Sequence, residues 1–236
     1  MYGCRKIKLI KRCFHFMQNK IFWEILNKPQ KQFLPKLSFL RALEAYLAGG
    51  TALALQIGHR NSIDFDFYTP KHFRSGTLEK LIKKNLPECR VKILRDTNDT
   101  FEAILNSQVR LSLFYYDYKL LKNPVIAENI PIISLEDIAA MKLIAISQRG
   151  KRRDFVDFYY LLKIFDLRQI MQATEKKYPA FDIYHGLRGL LYFKDADDDL
   201  EISRIKIFDK KLSWKKVKRE IEKKVKEFNK KAFAPF

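Results

Sequence analysis

The chain has 236 residues, 47% of them apolar, with 46 Lys+Arg against 27 Asp+Glu for a net charge of +19. That length suffices for one large domain or two lobes on a shared core, and that apolar share excludes a disordered chain. No apolar run reaches the length of a membrane span, and Lys and Arg interrupt any signal-like core in the basic stretch 1–12, so neither membrane insertion nor secretion is expected. Three cysteines, Cys4, Cys13 and Cys89, suggest no disulfide framework and fit a reducing cytoplasm. Cys4, Cys13 and His15 match no common zinc spacing and read as isolated side chains on a terminal segment. The positive charge attracts polyanions, whether RNA, DNA, an acidic protein or a charged membrane surface, and does not choose among them.

In chain order, helices are expected over 14–26 and 36–44, with Pro29 and Pro35 breaking the stretch between. Tyr46-Leu47-Ala48 reads as a short strand, Gly49-Gly50 as a turn, and 51–57 as a helix. Ile63-Asp64-Phe65-Asp66-Phe67 then alternates apolar and acidic at period two. Asp64 and Asp66 therefore share one face of a strand, about 7 Å apart, and the apolar residues share the other. Two such carboxylates repel unless a cation lies between them, and a hard divalent ion such as Mg²⁺ suits their oxygens. A strand–Gly-Gly–helix turn lets backbone approach a ligand closely and aims helix N–H groups at an anion. Carboxylates for a metal beside an anion-binding turn describe a site for a nucleoside triphosphate. Each feature alone is common, since an Asp-x-Asp face is often a solvated sheet edge and a Gly pair often a plain turn. The combination, in this order, is specific.

Pro70 closes that strand, and 77–86 reads as an amphipathic helix with Leu78, Leu81, Ile82 and Leu86 inward. Strands are expected over 90–94, 101–105 and 109–114, the last two joined by a hairpin turn at Asn106-Ser107-Gln108. Ser134-Leu135-Glu136-Asp137 is a capping-box-like start to a helix in which Lys142 is the one cation of an apolar run. The basic segment Arg149-Gly150-Lys151-Arg152-Arg153-Asp154 leads into a further apolar stretch, 155–162. The last third reads as helical. It holds a helix over 184–194, then a cluster of Asp195, Asp197, Asp198, Asp199 and Glu201 read as a solvated loop. A Lys-rich helix over 213–231 puts Trp214, Val217, Ile221, Val225 and Phe228 on a core-facing stripe. Its other face, with Lys215, Lys218, Arg219, Lys223, Lys226 and Lys230, is either solvated surface or part of a nucleic-acid track.

Ala48-Gly49-Gly50, thirteen residues, then Asp64-Phe65-Asp66-Phe67 resembles the signature of polymerase-β-like nucleotidyltransferases. The fuller motif, Leu47-Ala48-Gly49-Gly50-Thr51-Ala52-Leu53 with Arg60-Asn61-Ser62-Ile63-Asp64-Phe65-Asp66, resembles the AbiEii toxin branch of that superfamily. Lys142-Leu143-Ile144-Ala145 and Arg153-Asp154-Phe155-Val156-Asp157-Phe158-Tyr159 match the later motifs of the same branch, and Leu190-Leu191-Tyr192-Phe193-Lys194-Asp195-Ala196 is similar to it as well. The resemblance implies an α/β fold. A polymerase-β-like nucleotidyltransferase core with a mixed sheet and N-terminal helices would occupy 1–130, and a helical C-terminal lobe 131–236, with the site in the cleft between them.

The resemblance also implies an NTP-dependent nucleotidyltransferase in which Asp64 and Asp66 hold Mg²⁺ or Mn²⁺. Gly49, Gly50, Thr51, Arg60 and Ser62 would surround the phosphates, Lys142 would contact the triphosphate, and Arg149, Lys151 and Arg152 would extend the grip. Asp154 would complete the catalytic set by orienting Lys142 or a substrate hydroxyl, or as general base. The plainer alternatives are a Lys142 side chain snorkelling to water and an Asp154 that merely caps a helix. The implied acceptor is RNA, such as a tRNA 3′ end, and the implied role is a cytoplasmic toxin opposed by an antitoxin protein. One departure stands out. The family pattern expects a third carboxylate on the strand where this chain has Arg110-Leu111-Ser112-Leu113, so Ser112 takes its place and Glu102 or Asp117 is the candidate substitute. That departure motivates a second reading, a non-catalytic basic protein that keeps the fold and binds RNA or a partner. Transfer to a protein or small-molecule hydroxyl is a third.

Overall fold

The computed structural model describes residues 20–232, so Cys4, Cys13, His15 and the first part of the helix expected over 14–26 lie outside the described residues. What is described of that stretch is not a regular α-helix but a single 3₁₀ turn, Trp23–Ile25. The helix comes later. Asn27 Oδ1 accepts from the Gln30 N–H at 2.9 Å and Gln30 Oε1 from the Asn27 N–H at 3.0 Å, a full capping box for α1, Lys28–Phe33. Pro29 stands in its first turn, where a missing N–H loses no hydrogen bond. It thus starts a helix rather than breaking one. A 3₁₀ helix, Leu34–Leu43, follows where a helix was expected over 36–44.

The centre of the molecule is a seven-stranded mixed sheet in the order β3-β4-β5-β2-β1-β7-β6. Its strands are β1 Tyr46–Leu47, β2 Asp64–Thr69, β3 Val91–Thr97, β4 Thr100–Leu105, β5 Val109–Tyr115, β6 Val125–Ala127 and β7 Ile130–Ile132. β2 runs parallel to β5 and antiparallel to β1, which in turn is parallel to β7. The short β6–β7 hairpin turns through Glu128 and Asn129, both at positive φ, and no turn signal marked it in the sequence reading. The alternation of β2 is realised as expected: Phe65, Phe67 and Thr69 are buried, while Asp64, Asp66 and Tyr68 face the opposite side and are half-buried.

Register extends that second face across the sheet. Asp64 is paired with Arg110, Asp66 with Ser112, and Tyr68 with Phe114. On the far side of β5, Ser112 is paired with Glu102 of β4. Asp66, Ser112 and Glu102 therefore form one row, with Glu102 about 10 Å of backbone away from Asp66.

Helix α2, Gly49–Ile57, follows β1 directly and is buried from Thr51 to Leu55, which explains its almost wholly apolar sequence. It ends at Gly58, whose φ of 63° and close approach to the Phe22 ring both require glycine. After α3, Thr77–Asn85, and the sheet, the chain becomes helical: α4 Leu135–Arg149, α5 Arg152–Leu161, α6 Leu167–Lys177, α7 Ile183–Leu191, α8 Lys194–Asp197 and α9 Trp214–Ala232. Ser134 caps α4 by accepting from the Asp137 N–H at 3.1 Å. Asp137 does not complete the reciprocal box. Its buried carboxylate accepts instead from the Leu121 N–H at 2.9 Å and pairs with buried Lys177 at 2.8 Å, tying the β5–β6 connection and α6 to the start of α4.

The acidic cluster after α7 is more than a solvated loop. Residues 194–197 form α8, and Asp197 accepts from Trp214 Nε1 at 2.5 Å and pairs with Lys218 at 3.0 Å. Asp199 accepts from the Arg152 N–H at 2.9 Å. These carboxylates pin the connection between α7 and α9 onto α5. No helix among the described residues is long and apolar enough to cross a membrane.

Candidate functional site

A cavity of about 540 Å³ lies between the polar face of β2–β5 and the helices α4 and α5. Its floor carries Asp64, Asp66, Ser112, Arg110 and Glu102; its walls carry Gly49, Gly50, Arg60, Ser62, Lys142, Arg149, Lys151, Arg153 and Arg204. Asp64 and Asp66 stand as a pair on its strand face, and burial together with the Asp64 charge pushes the Asp66 carboxyl above the usual carboxylate range. A cation between them would relieve the repulsion of two like charges held this way, and the donor set, carboxylate oxygens alone, fits a hard divalent ion.

Gly49 opens α2 at a φ of 66°, and a Cβ added there would stand 3.0 Å from Asp66 Oδ2. The turn is therefore packed against the carboxylate. At Gly50 a Cβ would collide with Arg60 Nη2. Gly49→Ala is expected to lower stability by about 1–2 kcal/mol through its left-handed φ, and to slow nucleotide transfer at least tenfold by displacing Asp66. Thermal melting and a transfer assay read the two effects, and a Gly49→Ala protein with an unchanged rate would remove this turn from the site.

A largely buried ionic chain runs through the cavity wall. Arg60, 2% exposed, gives Asp157 a two-pronged contact, Nε to Oδ1 at 2.7 Å and Nη2 to Oδ2 at 2.9 Å. His59 Nε2 meets the same Asp157 at 2.7 Å, and Lys142 Nζ meets it at 2.5 Å. Lys142 Nζ also donates to Asp154 Oδ1 at 2.7 Å, and Arg149 Nε donates to Asp154 Oδ2 at 2.9 Å. The cations hold both carboxyls below the usual range against their burial: Lys142 and Arg149 for Asp154, Arg60 and Lys142 for Asp157. Burial lowers the His59 pKa, which keeps that imidazole neutral, and its Nδ1 has no hydrogen-bond partner.

This geometry decides several of the readings open in the sequence. Lys142 is buried and paired with two carboxylates rather than snorkelling. Asp154 lies inside the first turn of α5, whose cap position is Lys151, and its side chain binds cations rather than the helix end. Thr51 does not line the cavity. It is 1% exposed and its hydroxyl meets Ser62 Oγ at 2.6 Å and the Asp64 carbonyl, so it supports β2 from behind. Arg152 is turned away, donating to the Ala196 carbonyl at 2.7 Å and lying over the Trp214 ring. Arg153, the neighbour not singled out, lines the cavity in its place.

Glu102 does face the cavity, where it pairs with Arg110 at 3.1 Å, whereas Asp117 lies outside it in a separate groove. Among the described residues no three Asp, Glu, His or Cys side chains converge into a metal-binding group. The main omission of the sequence reading is Asp157, which sits in a quoted motif but has no local pattern that predicts three cationic or imidazole partners from distant elements.

Fold and cleft together define the class: a nucleotidyltransferase fold, a mixed sheet followed by helices, that presents paired carboxylates beside a glycine turn. The relatives agree. The chain matches the family described as "Nucleotidyl transferase AbiEii toxin, Type IV TA system" over residues 39–234. It belongs to the AbiEii nucleotidyltransferase toxin family and is a nucleotidyltransferase by that membership. It is 36% identical over 210 residues to an uncharacterized protein, aq_aa25, of Aquifex aeolicus, covering 86% of this chain and 97% of that one. Among solved structures it resembles JHP933 from Helicobacter pylori, with a TM-score of 0.59 at 20% identity over 89% of this chain and 94% of the other. It also resembles MenT4, a nucleotidyltransferase toxin from Mycobacterium tuberculosis, with a TM-score of 0.50 at 12% identity over 94% of this chain and 89% of the other.

Proposed function

We propose that this chain moves a nucleotidyl group from an NTP to a hydroxyl on RNA, such as a tRNA 3′ end, acting in the cytoplasm as a toxin restrained by an antitoxin protein. The observation that carries the reading is the Asp64–Asp66 pair, packed against Gly49 and facing Lys142, Arg149 and Arg153 across the cavity. Asp64 and Asp66 are the residues that would hold Mg²⁺ or Mn²⁺, an ion that neutralises the phosphates and polarises the phosphoryl group under attack. Gly49, Gly50 and Ser62 border the phosphates. In the reaction the acceptor hydroxyl loses its proton to solvent, its oxygen bonds to the α-phosphorus, and the bond to the bridging oxygen breaks as pyrophosphate leaves.

Lys142 and Arg149 stabilise the charge that develops on the phosphoryl oxygens, and they do so from fixed positions because Asp154 holds both. Asp154, drawn below the usual range by those same cations, is a weak base. Its part in this reading is to aim Lys142 and Arg149 rather than to take a proton. Arg60 lines the cavity beside Gly50 and is held by Asp157, so it brings a fixed positive charge to the turn. The boundary near residue 130 then separates a core that carries the carboxylates from a lobe that carries Lys142, Arg149 and Asp154. The net charge of +19 supports a polyanionic acceptor.

Incubation of the pure protein with Mg²⁺, each α-labelled NTP in turn and total RNA tests the reading. Label is expected on RNA with one NTP preferred, and is expected to vanish in Asp64→Ala. Label on protein instead of RNA would redirect the acceptor. Transfer that survives Asp64→Ala would overturn the assignment of the site.

A further inference from the structure

A second cavity, of about 510 Å³, opens beside the first and shares two side chains with it, Tyr68 and Arg149. Its walls include Tyr116, Tyr118 and Tyr178, and Gln148 is exposed at its edge. The two cavities lie in series along β2. Tyr68 follows Asp66 on the same face of the strand, about 7 Å further on, so a ligand whose anionic end lies over the carboxylates has its other end directed toward aromatic rings.

The aromatic wall is continuous. Ring centroids are 4.9 Å apart for Tyr68 and Tyr116, 5.0 Å for Tyr116 and Tyr118, and 4.7 Å for Tyr118 and Tyr178, all tilted or edge-on. Edge-to-face packing of this kind is a stable aromatic arrangement. The phenols of this wall stay uncharged: the Tyr116 and Tyr178 hydroxyls bond each other, and burial pushes the Tyr116 phenol up to about 12 and Tyr178 higher still. Tyr118 breaks the pattern of burial, with 45% of its surface exposed although it sits in the aromatic cluster. Gln148 contributes an amide that both donates and accepts. A flat π-system with a hydrogen-bonding edge, tethered to an anion, fits these walls.

We propose that this cavity takes the nucleobase of the nucleoside triphosphate, with the exposed ring of Tyr118 as a stacking face and Gln148 contacting the base edge. The assignment rests on the reading of the first cavity as a triphosphate site. It locates base recognition in Tyr118, Gln148 and the wall behind them, and it makes the helical lobe, which supplies Gln148 and Tyr178, responsible for nucleotide choice. Stacking of one base on an aromatic ring changes affinity by roughly tenfold in other nucleic-acid sites.

Equilibrium binding of the full chain to each of the four NTPs and to tripolyphosphate, all with Mg²⁺ and without RNA, tests it. At least one NTP is expected to bind about tenfold or more tightly than tripolyphosphate. Tyr118→Ala is expected to erase most of that margin while tripolyphosphate affinity, which involves no base, stays the same. Gln148→Ala is expected to flatten the ranking of the four bases. Both side chains are exposed, so neither change threatens the fold. Equal affinity for NTPs and tripolyphosphate, or a margin that survives Tyr118→Ala, would overturn the base site and leave the triphosphate site standing. Failure of all five to bind would overturn both readings. Loss of affinity for a short RNA alone in Tyr118→Ala would assign the cavity to the terminal base of the acceptor and overturn it as the nucleotide's.

Discussion

Asp66→Asn is expected to abolish nucleotide transfer, by on the order of a thousandfold or more, while raising the melting temperature measured without divalent cations. The two effects have one cause. Asp66 faces the cavity beside Asp64, and burial and that neighbouring charge push its carboxyl above the ordinary 3.8. In a raised acid the folded state keeps a proton that the unfolded chain has already released. The group therefore opposes folding increasingly as pH rises from the unfolded value through the folded one, and the penalty is complete once pH lies above the folded value. Asparagine removes the charge and with it the repulsion. A gain of about 2 °C at pH 7 is in proportion for a chain of this size, partly screened because Asp66 is not fully buried. The gap should close below pH 3.8, where both proteins are neutral at this position. It should also shrink when Mg²⁺ is added, because the ion neutralises the wild-type pair and not the variant. A variant that melts below the wild type at pH 7 without cations, or one that retains transfer, would remove the carboxylate pair from the centre of the site. The repulsion between two carboxylates held side by side is thus a property of the site itself.

The largest loss of stability is expected at Asp157. Asp157→Ala leaves Arg60 buried with its main counter-charge gone, frees one contact of Lys142, and deprives His59 Nε2 of its partner. Breaking a buried pair by deleting one member costs about 3–5 kcal/mol, because the remaining charge stays buried without compensation. In a chain of this length that corresponds to a fall of roughly 10 °C in melting temperature. Asp157→Asn keeps the shape and part of the hydrogen bonding, and its loss should be clearly smaller. Calorimetry on the three proteins checks the order, and an Asp157→Ala protein melting within 2–3 °C of the wild type, about 1 kcal/mol, would show that the network contributes little.

The pH dependence of the same network runs opposite to that of Asp66. Asp157 and Asp154 are held below the ordinary 3.8 by their cations, so the stability they contribute is fully present above that value. It is lost only as pH falls through their lower folded values. The wild type should therefore resist acid down to pH 3.8, and Asp157→Ala should show a flatter acid limb. In Asp157→Ala, transfer is expected to fall as well, since Lys142 then depends on Asp154 alone for its position.

Much of this molecule was legible from local pattern. The period of two at Asp64, Phe65 and Asp66 placed the carboxylates on one face because side-chain alternation in a strand is a local property. Gly49-Gly50 between a strand and a helix announced a turn that admits close approach, and the φ of 66° at Gly49 is the backbone state that only a glycine takes readily. The amphipathic stripe of α9 and the burial of α2 follow from the same kind of reading, since each depends on residues within one element. Pro29 shows the limit of such rules. A proline both breaks a helix interior and favours a first turn, and only the capping box between Asn27 and Gln30 selects the second.

What the sequence by itself determined is the set of chemical groups and the elements that carry them: two carboxylates on a strand, a glycine turn, a lysine helix and a basic segment ending in an aspartate. What only the tertiary structure decided is which of those groups meet. Arg60 and Asp157 are 97 residues apart and Lys142 reaches two carboxylates of a different helix, so no window of sequence contains both ends of either contact. Strand register put Glu102 in the row of Asp66 and Ser112 yet two strands distant from Asp66, a spacing that no alternation pattern encodes. Packing turned Arg152 outward and Arg153 inward, because adjacent residues on a helix point about 100° apart and the cavity lies on one side only. Periodicity is short-range and survives in the sequence; the pairing of charges across elements is set by burial and close approach, which exist only once the chain has folded.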